Sequence, residues 1–507
     1  MTSTPHDPLT GPDVVDLGGE PTPSGSTGRG RKKGLVIGGG LLAVALVGGG
    51  AAYAVAALSG GGAQPEASIP SSAFAMVKVD LDPSAGQKID ALRFARGFPD
   101  VRDRIGSTDD PRQAIFETLT KGQGLAGNWQ TDVEPWLGQR AALAVVPGAT
   151  PEADPALIVV LAVTDTGKAE AGLAKVTKGK ASCTLTGDFA VCAQDNAVAG
   201  RAAADAERSA LADDATFTKD VDALNGDGVA LAWADLAKAK SAVPALASAL
   251  RSSGAGPLGG SLVGGDLAGR YVAALRFDGP NLEVIGRLDG APLPAAGGTS
   301  GVGDLPAGTV AALGIGGADQ LVDTAWKQLR ATMDTQGAGD SVDQQVAAVR
   351  EQYGITIPDD IRAAVGKRVV LAFGGVGQGT PDVALRLAGS PDGVAKLAKV
   401  VNQNAGGRLT LGQATAGSDT VLALTQAYAD KVAGGSGLGS STLFTNAVPD
   451  AKDAQQVVFV DIPALLAVAD DAVGGAAARK LGSLSALGVS AGRDGSAATF
   501  RVRLTTR

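Results

Sequence analysis

The chain has 507 residues, of which 45% are hydrophobic, 19% charged and 4% aromatic. So large an apolar share excludes a wholly disordered chain, and the length predicts more than one folded unit, because single cores rarely grow beyond about 250–300 residues. A formal net charge of −8 removes the electrostatic support that nucleic-acid binding needs, so no nucleic-acid partner is expected.

Residues 1–33 are rich in Pro, Gly, Ser and Thr and end in Arg29, Arg31, Lys32 and Lys33. They offer too little apolar surface to offset the entropy of ordering, and a disordered cytoplasmic tail is expected. Residues 34–58, Gly34 to Leu58, carry no charge. At about 1.5 Å rise per residue a helix of this length reaches roughly 37 Å, enough to cross about 30 Å of hydrocarbon. The basic cluster should stay cytoplasmic and leave everything after Leu58 outside. A cleaved signal peptide has a short lead and an apolar core of about 7–15 residues, so an uncleaved signal anchor is the preferred reading, although Ala54-Val55-Ala56 resembles a cleavage site. The glycine triplets at 38–40 and 48–50 would let a second span pack closely.

A Gly/Ser/Pro-rich spacer at 59–68 leads into two halves that read alike in the same order, 69–288 and 304–507, with a linker at 289–303. Ile69-Pro70 precedes a strand-like Phe74 to Leu81, and Leu305-Pro306 precedes Val310 to Ile315. Gly138-Gln139-Arg140 opens an apolar run, and so does Gly366-Lys367-Arg368. Leu173-Ala174-Lys175-Val176 is matched by Leu397-Ala398-Lys399-Val400, Phe217-Thr218 by Phe444-Thr445, and Asp235 by Asp461, all at a nearly constant interval. Each half closes on an Asp-Gly turn, at Asp278-Gly279 and Asp494-Gly495. Short turns join several strands, so the expected class is α+β with antiparallel sheets, duplicated in the outer region.

Cys183 and Cys192 flank a Gly187-Asp188 turn. A two-residue turn there pairs Thr186 with Phe189 and sets Cys183 directly opposite Cys192, at a non-hydrogen-bonded position where side chains come close. An oxidising outer compartment then favours a structural disulfide over a pair of reactive thiols.

Much chemistry is excluded. The single histidine, His6, lies in the tail, so a Ser-His-Asp triad or a His-ligated catalytic zinc site cannot be built in the folded part. Gly488-Val489-Ser490-Ala491-Gly492 reads as G-x-S-x-G, but a turn and a strand follow it where a nucleophile elbow needs a helix. Gly375-Val376-Gly377-Gln378-Gly379 is followed by Pro381 and a strand, which suits a hairpin loop better than a dinucleotide site. Asp80 with Asp82, Asp213 with Asp214 and Asp470 with Asp471 are acidic pairs, better explained as caps and solvated carboxylates than as cation ligands. Trp129 and Trp136 are expected to anchor the first core, and the Gly-rich stretches 253–269 and 433–440 to be flexible connectors or lids. No cofactor or metal is expected.

The basic tail and span, followed by Val79-Asp80-Leu81-Asp82-Pro83, Ile89-Asp90-Ala91-Leu92-Arg93-Phe94, Trp136-Leu137-Gly138 and residues 230–236, resemble a family of membrane-anchored actinobacterial proteins, domain-of-unknown-function family 3352. The resemblance implies an envelope protein and carries over no activity or site residue. The expectation is a single-pass membrane protein, anchored through residues 34–58, whose outer domain binds an envelope lipid, glycan or protein without catalysis. The alternative is a cell-envelope hydrolase with two carboxylates converging in a cleft, at least one with a raised pKa.

Overall fold

A computed structural model describes residues 62–98, 110, 112–113, 116, 127–148, 150, 153–226, 228–242, 268–290, 297–377, 379–404, 410–469 and 481–507. The expected tail and span lie outside the described residues. Among the described residues no helix is long and apolar enough to cross a membrane.

The first half supplies β1 (Ala75–Asp80), β2 (Leu137–Val146), β3 (Ala156–Val163), β4 (Ser182–Thr186), β5 (Phe189–Ala193), β6 (Ala230–Asp235), β7 (Arg270–Asp278) and β8 (Asn281–Asp289). The second supplies β9 (Ala311–Gly316), β10 (Arg368–Gly377), β11 (Thr380–Leu387), β12 (Gly412–Ala416), β13 (Asp419–Ala423), β14 (Gln456–Asp461), β15 (Leu484–Asp494) and β16 (Ala497–Thr506). All sixteen form one antiparallel sheet in the order β12-β13-β11-β10-β9-β14-β15-β16-β8-β7-β6-β1-β2-β3-β5-β4. Read outward from the β8–β16 ladder, the two halves have the same strand order. The molecule is α+β.

Strand periodicity sets the two faces. Along β2 buried residues alternate with half-buried ones, so Ala142, Ala144 and Val146 share one face. On that face the helices Asn196–Arg208 and Ala215–Asp222 close a core over the first half. Gln426–Gly434 and Thr442–Ala447 do the same over the second. Each core holds an edge-on aromatic pair at the same place in its half, Phe217 with Trp233 and Phe444 with Phe459. Helix starts correspond too. Asp195 and Thr425 each cap one helix, Asp214 and Ser441 the next, and Asp235 and Asp461 a third, their side-chain oxygens accepting free N–H groups of the first turn.

The halves meet along β8 and β16, which pair from Asn281 with Thr505 to Leu288 with Ala498. Arg287 donates to Asp494 from one side of this joint, and Arg503 pairs with Asp278 from the other. The interval from Asp278 to Asp494 equals that from Arg287 to Arg503 and that from Ile285 to Arg501, and the last two residues face each other. A local two-fold axis therefore passes between them. On the opposite face Tyr271 stacks on Phe500 at 6.2 Å, across Gly286, where a Cβ would lie 2.2 Å from the Phe500 ring.

Some expected connectors are folded. Within 59–68, Pro65–Ser68 is a 3-10 turn with Glu66 and Ser68 buried. Within 289–303, Val302 is fully buried. The stretch 433–440 is neither lid nor loose connector: Leu438 is buried in the second core, and its N–H donates to Leu305 O. Most of 253–269 lies outside the described residues.

Candidate functional site

The Cys183–Cys192 disulfide is present. Its hairpin has the register read from the sequence, Thr186 with Phe189 through Cys183 with Cys192, and Gly187 supplies the positive φ of 52° that the turn demands. The bond lies against Trp136 and Leu173, under the helix Thr166–Thr177. Trp129 packs nearby on Val133 and Val176, so both tryptophans anchor the small clusters beneath this helix rather than the main core of the first half.

Asp80, Asp82 and Asp214 are engaged with basic groups or as a cap, and Asp213 is exposed. Asp80 accepts from Arg140 Nε at 2.9 Å, and Asp82 pairs with Lys88. Asp214 accepts from Thr216 N and Phe217 N. Asp470 and Asp471 lie outside the described residues. Ser490 of the G-x-S-x-G stretch sits within β15, nearly fully buried, and donates to Asp450 Oδ1 at 2.7 Å. The glycines at 375–379 fall in the β10–β11 hairpin, with Val376 opposite Pro381. No group of three or more His, Cys, Asp or Glu side chains able to hold a metal occurs among the described residues.

A further charge cluster surrounds a carboxylate that sequence reading did not single out. Glu283 on β8 is fully buried and accepts from Arg276 Nε at 2.8 Å, Arg501 Nη1 at 2.5 Å and Arg503 Nε at 3.0 Å. Burial opposes its ionisation, but Arg501, Arg503 and Arg276 prevail and hold its pKa below the usual carboxylate range. Asp419 behaves alike, with burial outweighed by Arg368 and Arg386. Backbone N–H donors of Asn128 and Lys168 lower Asp132 and Asp165, and Lys396 lowers Asp360. These shifts run opposite to the one a general acid needs.

The face of the sheet turned away from the two main cores carries the more distinctive feature. One register row is apolar across fifteen strands, from Leu185 on β4 through Ala141, Val79, Leu275, Val284, Val502, Val458, Leu313 and Leu371 to Leu422 on β13. Helices cover its ends, Leu173 of Thr166–Thr177 at one and Val394 of Pro391–Asn404 at the other, and the helix Ala85–Arg96 packs beside its middle, Phe94 against Phe277. Between them Leu275, Val284, Val502, Val489, Val458 and Leu313 are half-buried, and Leu371 is 39% exposed. Leu465 and Val468 of the short helix Ile462–Val468 are exposed beside it. A contiguous apolar surface of this kind marks a binding face more often than scattered exposed leucines do.

The family model described as a protein of unknown function, DUF3352, matches residues 36–188, which bears out the resemblance over that stretch. Nothing among curated proteins and nothing among solved structures matches the chain.

Proposed function

We propose that this chain is a single-pass membrane protein, N-terminus cytoplasmic, whose folded region lies outside the membrane. There it acts as a non-catalytic module that binds a lipid-like envelope ligand. The observation that carries the reading is the apolar row crossing the sheet, left half-exposed between its covering helices. Two further facts support it. The apolar run ends at Leu58, seven residues before the fold begins at Pro65, a tether of about 25 Å at most when fully extended. The folded region is thus held close to the bilayer. The disulfide suits an oxidising outer compartment. The carboxylate hydrolase is the weaker alternative, because Asp80 and Asp82 are paired with Arg140 and Lys88 and Asp214 serves as a cap.

Native mass spectrometry of the full-length chain, carried in discs of its own membrane and released in the gas phase, tests the reading. A reproducible lipid-mass adduct, lost in Leu371→Asp, is expected. An adduct-free mass, or an adduct that Leu371→Asp leaves unchanged, would refute it.

A further inference from the structure

The matching strand order exposes one place where the halves differ. In the first, Asp80 faces Arg140 across the β1–β2 ladder and also accepts from Gln64 Nε2 at 3.3 Å, while Lys78 donates to Gln64 and Glu66. In the second, the same ladder position pairs Arg368 with Gly316, and Gly314 stands in place of Lys78. Counting back from the equivalent prolines Pro70 and Pro306, Ser300 stands where Gln64 does, its hydroxyl buried without a hydrogen-bond partner. The arginine is kept and its carboxylate partner on the neighbouring strand is gone.

Beside Arg368 opens a cleft of about 470 Å³. The Gly297–Gly298 backbone forms one wall, lying over Gly316, where a Cβ would come within 2.3 Å of Gly298 O. Thr299, Asp319, Gln320, Lys367, Ala388, Ser418 and Asp419 complete the lining. The floor is charged where the first half is apolar, since Arg386 and Asp419 occupy the register positions of Val160 and Phe189. Asp419 accepts from Arg368 at 2.6 Å and from Arg386 at 2.8 Å, so two guanidinium groups share one buried carboxylate. Of the other acids nearby, Asp319 lines the cleft and accepts from Gln320 N at 2.9 Å, and Asp304 is exposed and no nearer than 3.8 Å to either arginine. Lys367, at the rim, makes no ion pair among the described residues.

We propose that this cleft binds a small monocarboxylate bearing hydroxyl groups. Its carboxylate sits on Arg368 and Lys367, and its hydroxyls meet Thr299, Gln320 and Ser418. Arg368, Arg386 and Lys367 set against Asp419 and Asp319 leave one excess positive charge, which one negative charge matches and a dianion would exceed. The site is on the other side of the sheet from the apolar row and does not depend on that reading.

Calorimetric titration of the full-length protein in mild detergent with D-glucuronate, D-glucose and inorganic phosphate tests it. Glucuronate should bind, and both glucose and phosphate should bind at least tenfold more weakly. Arg368→Gln leaves Asp419 paired with Arg386 and should weaken glucuronate binding at least tenfold, which is about 1.4 kcal/mol. Lys367→Glu alters only an exposed side chain, and should weaken it several-fold even if the first variant fails to fold. No glucuronate binding below about 10 mM, glucose or phosphate binding equally well, or undiminished binding in Lys367→Glu would overturn the proposal.

Discussion

Replacing Glu283 by Gln keeps the shape of the side chain and removes the anion that three arginines share. Glu283 is on β8, and Arg501 and Arg503 are on β16, so the cluster lies in the ladder that joins the halves. Removing one partner of a buried ion pair typically costs about 3–5 kcal/mol, because the remaining charge stays desolvated. Asp278 still pairs with Arg503 and Asp450 with Arg501, which places the expected loss near the lower end, about 3 kcal/mol. Urea denaturation of the full-length protein in mild detergent, followed by circular dichroism, reads this as a lower midpoint at unchanged slope. The pH dependence has a definite sign. The folded pKa of Glu283 lies below its unfolded value, so its stabilisation is complete above about pH 4.3 and is lost as pH falls through the folded value. Glu283→Gln should therefore flatten the acid limb of the stability curve. A loss under about 1 kcal/mol, or an acid limb as steep as before, would refute the assignment of Glu283 as the anion that holds the joint.

Replacing Cys183 and Cys192 together by Ser should destabilise the chain by about 2–3 kcal/mol from loop entropy alone, given their separation of nine residues. Intact mass before and after reduction should differ by two hydrogen atoms, and an unchanged mass would show that no bond forms. Gly366 has φ 58°, and a Cβ there would stand 2.0 Å from Ala388 O, so Gly366→Ala should cost well over 2 kcal/mol. Gly279→Ala, at the same φ but with nothing within 4 Å, should cost only about 1 kcal/mol, and equal losses would discount the close approach. The Tyr428 hydroxyl is buried without a partner, and burial, reinforced by Asp382, pushes its pKa up to about 12. Tyr428→Phe should be neutral or stabilising by up to about 1 kcal/mol, and a clear loss in a thermal melt would contradict that.

Local signals carried the parts of this fold that depend on neighbours in sequence. The Gly187-Asp188 turn fixed the cysteine register because a two-residue hairpin leaves one pairing. The paired intervals picked out equivalent elements because Phe217 and Phe444, or Asp235 and Asp461, do the same packing or capping task in each half. What joins the halves was not legible. β8 and β16 are far apart in sequence, and nothing in either strand states which edge it will meet. Glu283 reads as an ordinary strand carboxylate until Arg501 and Arg503 are brought beside it. The apolar row was hidden for a similar reason. Strands such as β2 carry small or aliphatic residues on both faces, so alternation there does not tell the covered face from the open one. The charged cleft at Arg368 becomes visible only when Asp80 and Gly316 are known to hold the same ladder position.

The binding face is tested most directly by photo-crosslinking the full-length chain, in its own membrane, with a phospholipid carrying a diazirine in its acyl chain, and mapping the labelled peptides. Labels on the strands around Leu313, Leu371, Val458 and Val489, reduced by Leu371→Asp, are expected. Labelling confined to residues 34–58, with none on the sheet, would contradict the lipid-binding role of this face.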